Sequence, residues 1–297
     1  MESLVHPAVG AEEGKGPSEG VLSGTFRRLR RNRAAMGGLI LLVLLVTMAI
    51  AAPALAPYDP IKVAPSESIK SPRAPHWLGT DQFGRDILSR ILFGARVSLR
   101  TGLISVGIAA SIGVVVGLFA GFYGGWVDIV ISRAVDMMLA FPGILLALCI
   151  SAALGPGINQ VMIAVGIAGI PTFVRMVRAS VLSARENLYV DAARALGASN
   201  LRIIGLHILP NVVAPVIVLA TLSLGWSMLN AAALSFLGLG AQPPMAEWGA
   251  MLSTGREYLR AGWWITTFPG IAIMLAVCSI NLLGDGLRDA MDPRLRR

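Results

Sequence analysis

The chain has 297 residues, 55% of them hydrophobic and 14% charged, with a formal net charge of +8. An average soluble domain is roughly 25% charged, so this composition excludes a soluble enzyme and a nucleic-acid-binding domain. The basic balance fits arginines at a membrane edge. Two cysteines, Cys149 and Cys278, both inside apolar runs, exclude a disulfide scaffold.

Taken in chain order, residues 1–33 read as a flexible cytoplasmic tail, acidic and Gly-rich at first and then carrying Arg27, Arg28, Arg30, Arg31 and Arg33. Five stretches without Asp, Glu, Lys or Arg follow: 34–52, 101–127, 137–174, 208–246 and 261–284. A bilayer core needs about 20 apolar residues in a helix. The stretch 137–174 is long enough for two spans, and Gly155-Pro156-Gly157 divides it. Residues 238–244 read as a loop, so the prediction is six transmembrane helices and an all-α fold. The first run exceeds the apolar length usual in a signal peptide, so it is read as a retained span. Lys and Arg concentrate in the tail, between spans four and five, and at the C-terminus, which places both termini in the cytoplasm. The basic loop between spans one and two conflicts mildly with that rule.

From Asp81 onward, Phe83, Ile87, Leu88, Ile91 and Leu92 fall near helical spacing, with Arg85, Asp86 and Arg90 opposite. This predicts a short amphipathic surface helix with an Asp86–Arg90 pair. In span two, Gly113, Gly117 and Gly121 recur every fourth residue, the pattern that lets helix backbones approach closely in lipid. Arg133 and Asp136 are expected to pair near the membrane edge. Pro142, Pro171, Pro215 and Pro269 fall in or near spans three to six and are candidate kinks. The resulting division is a tail, 1–33; a first span with loop and surface helix, 34–100; a five-helix core, 101–290; and a basic tail, 291–297.

Between spans four and five lies a stretch too polar for the membrane yet poor in breakers. Residues 178–196 lack Gly and Pro and are rich in Ala, Leu and Arg, which predicts a helix. Gly197 should cap it, and Ser199 should start a second short helix that reaches Leu209, with Pro210 opening span five. Asp191-Ala192-Ala193, Gly197 and Leu209-Pro210 together resemble the EAA loop of ABC-transporter permeases that work with substrate-binding proteins. The family pattern is E-A-A-x3-G-x9-I-x-L-P; here Asp191 replaces Glu and His207 replaces Ile, with spacing intact.

A second segment resembles the C-type subunits of dipeptide and oligopeptide permeases. It runs from His76 through Gly79-Thr80-Asp81 and Gly84-Arg85-Asp86 to Arg90, and then Gly94-Ala-Arg-Val-Ser98. Gly124-Gly125-Trp126-Val127-Asp128 and Ala140-Phe141-Pro142 are similar to the same group, which nickel permeases share.

The resemblance implies a pore-forming subunit of a bacterial cytoplasmic-membrane importer. Its loop 178–210 would couple to an ATPase subunit through Asp191, Ala192, Ala193, Gly197, Leu209 and Pro210. It implies three protein partners: a second, B-type permease, ATPase subunits and an extracytoplasmic substrate-binding protein. No cofactor is expected on this chain, because its three lysines, Lys15, Lys62 and Lys70, lie outside any G-x-x-x-x-G-K-[ST]; ATP and Mg²⁺ would belong to the partner. No catalytic residue, metal site or nucleic-acid partner is expected, and a lone His76 is read as structural. The loop between spans five and six, with Glu247, Trp248, Arg256, Glu257 and Tyr258, is a candidate contact for the binding protein. A nickel permease of the same branch remains an alternative. An ion-driven carrier is the alternative of another class, but it would need charges deep in the spans or paired repeats, and neither is present.

Overall fold

The computed structural model describes residues 27–291. Most of the expected N-terminal tail, and all but the first residue of the basic C-terminal one, lie outside the described residues. Among the described residues regular structure is helical, apart from two isolated bridges, Arg73 to His76 and Thr80 to Asp86.

Helix α1 spans Arg33–Ile50, with Asn32 Oδ1 accepting from the Ala35 N–H at 3.1 Å to cap its start. A segment with short helical turns at Ala52–Leu55 and Pro65–Glu67 leads to α2, Ile87–Tyr123. After the Gly124–Gly125 turn come α3, Gly125–Leu139, and α4, Gly143–Leu154. Helix α5 covers Ile158–Arg185 and the short α6 covers Leu188–Ala195. A turn at Asn200–Ile203 and a π-helical stretch, Ile204–Ile208, run into α7, Leu209–Phe236. Helix α8, Trp248–Gly255, and the long α9, Trp264–Met291, complete the chain.

Five helical runs are long and apolar enough to cross a membrane; α3 and α4, bent by 89° relative to each other, supply a sixth. The third span expected from 137–154 is therefore not a straight rod. Pro142 has no N–H to donate and disfavours helix at Phe141 before it, so the run breaks at 140–142. Helix α4 alone has 12 residues, about 18 Å of rise, too short for a hydrocarbon core of about 30 Å. Pro171, Pro215 and Pro269 lie inside α5, α7 and α9, which continue through them.

The bundle is organised on the α2–α5 pair. A Cβ on Gly117 would lie 2.8 Å from Val177 Cβ, and one on Gly121 would lie 2.7 Å from Val181 Cβ. Gly113 meets Phe173 in the same way. The three glycines thus form an intramolecular seam along α5. At one end of the bundle Trp248, Trp264, Ile87 and Met251 form a core; at the other, Phe122, Val181, Val190, Ala193 and Ile208 form a second.

Two local readings are corrected. Residues 81–86 are not helical, and α2 starts at Ile87 and continues unbroken to Tyr123, so there is no separate surface helix. The polar face also departs from the expectation: Asp81, Arg85, Asp86 and Arg90 are buried along with Ile87 and Leu92, while Phe83 is 46% exposed. Asp136 pairs not with Arg133 but with Arg175 of α5, at 2.9 Å.

Candidate functional site

Two sets of sequence-predicted residues occupy opposite ends of the bundle. At the α6 end, α5 does not run on to Leu196 as expected; it stops at Arg185, and α6 begins after Asn187. Asn187 Nδ2 donates back to the Ala184 carbonyl at 2.9 Å, occupying an acceptor that a continuing helix would have used. At the other end of α6 the Gly197 N–H bonds to Arg194 O at 2.9 Å and the Ala198 N–H to Ala193 O at 3.0 Å. This is a Schellman cap, and Gly197 sits at φ +77°, where a side chain is strained. The next helical turn follows Ser199 as expected, but ends at Ile203. Pro210 cannot return an N–H to the carbonyl four residues back. The backbone ahead of it opens into π turns, with the Leu209 N–H reaching Ile204 O.

Helix α6 buries one narrow stripe, Val190 and Ala193, against Phe122, Val181 and Ile208. Everything else faces outward. Asp191, Ala192 and Gly197 are exposed, as is Pro210 at the head of α7, while Leu209 is half-buried. Leu188 and Leu196 are 86% and 88% exposed. They stand among Arg185, Glu186, Asp191 and Arg194, a setting too charged for lipid to cover.

The segment is tied to the bundle by bonds the sequence did not show. Asn211 Nδ2 of α7 donates to Tyr189 Oη of α6 at 3.1 Å and to His207 O at 2.7 Å. Arg178 of α5 grips Asp128 of α3 through both carboxylate oxygens, one contact at 2.6 Å. Arg185 Nη1 caps the end of α2 at Gly121 O, 3.0 Å away. Arg185 and Asn187 fall in the interior of the helix expected over 178–196, so nothing in the sequence marked them as a helix end, and Asn211 follows directly on the Leu209-Pro210 of the motif. Helix α5 is therefore tied to α2 and α3, and α6 to α7.

At the opposite end, the motif residues between 79 and 90 form a closed polar knot. Asp81 accepts from the backbone N–H groups of Phe83 and Arg85 at 2.9 and 3.0 Å and from Arg85 Nε at 2.7 Å. Gly84 sits at φ +73°, and a Cβ there would collide with the Ala64 carbonyl. Gly79, at φ +80°, leaves room for the Trp264 indole, which donates to Thr80 O at 3.1 Å. The Thr80 hydroxyl accepts from the Lys70 N–H at 2.8 Å and donates to Glu67 O. The Glu67 carboxyl, hydrogen-bonded by Lys70, is held below the ordinary glutamate range. Asp86 caps α2 by accepting from Ser89 N and Oγ at 2.8 and 2.7 Å. Its other oxygen meets His76 Nδ1 at 2.9 Å, which gives His76 a structural partner. The expected Asp86–Arg90 pair is replaced: Arg90 instead donates to Pro60 O at 2.8 Å and faces Asp81 at 3.6 Å.

Glu247 and Trp248, expected at the surface, are buried at 3% and 1% exposure. Glu247 caps α8 through Gly249 and Ala250 N–H groups and accepts from Ser98 Oγ at 3.1 Å. The Trp248 indole donates to Ile91 O at 3.0 Å. Arg256 and Glu257 remain exposed. Among the described residues no group of three or more His, Cys, Asp or Glu is placed to hold a metal ion.

An apolar bundle with a broken span, and an exposed, braced helix between two spans, has the architecture of a multi-pass membrane protein. Residues 113–297 match the family described as binding-protein-dependent transport system inner membrane component. Residues 22–73 match the N-terminal transmembrane domain of oligopeptide transport permease C. The chain is 50% identical to the dipeptide transport system permease protein DppC of Alkalihalophilus pseudofirmus, over 91% of this chain and 89% of the relative. It is 47% identical to the di/tripeptide permease DppC of Pseudomonas aeruginosa, over 91% of both. It is 46% identical to the glutathione permease GsiD of Escherichia coli, over 91% and 90%. A chain of the methionine ABC transporter MetNI, in an inward-facing conformation, shares the fold with a TM-score of 0.56. That match covers 69% of this chain and 97% of the other at 19% identity. The chain belongs to the binding-protein-dependent inner membrane component family. It is a multi-pass inner membrane permease subunit of the peptide-type ABC importers.

Proposed function

We propose that this chain forms half of the pore of an ATP-driven importer of di- and oligopeptides, with a B-type permease as the other half. Helix α6 and Gly197 lie on the cytoplasmic face and seat in a groove of an ATPase subunit, which binds ATP and Mg²⁺. A substrate-binding protein delivers peptide to the opposite, extracytoplasmic face. The observation that carries this reading is the build of α6. It exposes Leu188 and Leu196 beside Asp191 while clamped to α7 through Asn211 and Tyr189. Ala192 adds almost no bulk, so the helix backbone can approach a partner closely. ATP binding would then bias the bundle between inward- and outward-open states through differential contact with α6.

The peptide substrate is supported by the names of the three relatives described above, which are peptide or glutathione permeases. The test is reconstitution of the chain with a B-type permease, ATPase and binding protein in liposomes. ATP-dependent uptake of labelled di- and tripeptides, with Ni²⁺ excluded, is the expected result. Uptake of Ni²⁺ alone would assign the chain to the metal branch, and uptake that follows an ion gradient without ATP would overturn the importer reading.

A further inference from the structure

A cavity of about 330 Å³ lies inside the bundle where α3 gives way to α4. That volume falls within the roughly 300–1,000 Å³ of small-molecule sites. Phe141 and Gly143 line it at the break, Thr172 on α5, and Ser223, Trp226 and Ser227 on α7. All its lining residues come from the uncharged stretches, so no ionised side chain forms its wall. Asp136 and Arg175 stand just beyond it, two residues before Met138 of the wall and one helical turn after Thr172. They pair with each other at 2.9 Å and so bring no net charge.

The polar groups of this wall are unspent. Elsewhere on the same helices hydroxyls donate to the carbonyl four residues back: Thr101 to Val97, Ser180 to Met176 and Thr221 to Ile217, at 2.8, 3.1 and 2.9 Å. Thr172, Ser223 and Ser227 make no such bond, and the Trp226 indole N–H has no acceptor among the described residues. The described side-chain oxygens that are sealed off without a partner belong to Gln82, Ser151 and Ser235. Ser227 is 4% exposed and is not one of them, so its oxygen opens on the cavity it lines.

Helix α4 starts at the same wall. Pro142 ahead of it offers no side-chain cap, and the first N–H to find an acceptor is that of Leu146, on Pro142 O at 3.0 Å. The N–H groups of Gly143, Ile144 and Leu145 are left over. A Cβ on Gly143 would lie 3.2 Å from Trp226 Cζ2, so the glycine lets the indole rest against the helix start. A free helix start carries about half a positive charge, and in transporters broken helices aim such ends at anionic groups of the solute. Unmatched donors in an apolar shell are costly, which favours an acceptor that fills them.

We infer that this cavity receives the C-terminal carboxylate of the travelling peptide, with the first N–H groups of α4, Ser227 and Trp226 as its donors. The inference rests on the importer reading. A carboxylate terminates every unmodified peptide whatever its side chains, so a site of backbone, hydroxyl and indole groups serves many sequences. The test is ATP-driven uptake of a labelled dipeptide by the assembled transporter in liposomes, at saturating binding protein. Substitutions at Thr172, an exposed wall position, vary the charge. Thr172→Asp should carry peptide about ten-fold or more slower than Thr172→Asn, and Thr172→Lys should outpace Thr172→Asp. Ser227→Ala removes a donor but no bond within the chain, and should slow uptake about three- to ten-fold with assembly intact. Wild-type uptake in Ser227→Ala, or equal uptake in the Asp and Asn variants, would overturn the inference while leaving the importer reading untouched. Faster uptake in Thr172→Asp would also overturn it and give the cavity to the ammonium end. Equal uptake with less phospholipid retained by Thr172→Asp would give it to a lipid headgroup instead. No ATP-driven uptake by the wild-type complex would overturn the importer reading, and this inference with it.

Discussion

The two ends of the bundle use the same kinds of charged residue to opposite ends. In the 79–90 knot nearly every carboxylate and guanidinium finds its partner inside the chain: Asp81 with Arg85, Asp86 with His76 and Ser89, Arg90 with the Pro60 carbonyl. At α6 the Asp191 carboxylate has only Arg194 at 3.7 Å, both exposed, and Leu188 and Leu196 stand in the open. The first arrangement stabilises the fold; the second leaves its interactions for another molecule. Charge content alone does not distinguish them, but satisfaction does.

The largest expected effect separates the two ends directly. Asp81→Ala leaves two buried guanidiniums without their carboxylate and should cost about 3–5 kcal/mol. Asp191→Ala should stay within about 0.5 kcal/mol, because its pair is exposed. Thermal unfolding in detergent, followed by size-exclusion chromatography, reads both. Equal melting temperatures would erase the distinction. Next comes the seam that joins the two ends: Gly117→Val should cost about 3 kcal/mol, since its side chain would overlap Val177. A variant that melts like the parent would place α2 and α5 farther apart than described.

Gly197→Val should be milder for stability, about 1–2 kcal/mol for a left-handed residue with open space around it. It should nonetheless abolish ATP-driven uptake, because the cap that orients α6 is lost. Folded protein with normal uptake would remove Gly197 from the coupling element. The smallest expected effect is Asn211→Leu, about 1 kcal/mol for the lost bonds to Tyr189 and His207. Its diagnostic readout is a raised ATPase rate per peptide transported. An unchanged ratio would mean that the α6–α7 tie carries no coupling.

The membrane spans were legible in the sequence because absence of charge over sufficient length needs no tertiary information. Gly197 was legible for a similar reason, since a helix end marks itself with a glycine. The bend at 140–142 was harder to place. The whole 137–174 stretch is uncharged, so hydropathy gave no edge there, and only Pro142 marked it. The burial of Arg85 and Arg90 was read the wrong way round. Local periodicity puts them on a wet face, yet Arg90 donates to Pro244 O and Met245 O, far along the chain, and Arg85 is buried with Asp81. The tie between Asp128 and Arg178 is also long-range: one residue lies in the first turn of α3 and the other late in α5, with no motif linking them. Segment α6 was recognised by its spacing, but its exposure could be known only once Val190 and Ala193 were seen to take up the whole buried stripe.

The role proposed for α6 is that of a docking element. The most direct measurement is the amount of ATPase subunit that co-purifies with the Leu188→Ser/Leu196→Ser double variant, alongside its melting temperature. Both leucines are exposed, so the account predicts an unchanged melting temperature and loss of most of the ATPase. Wild-type recovery of the ATPase, with uptake intact, would contradict it and place the contact elsewhere on the chain.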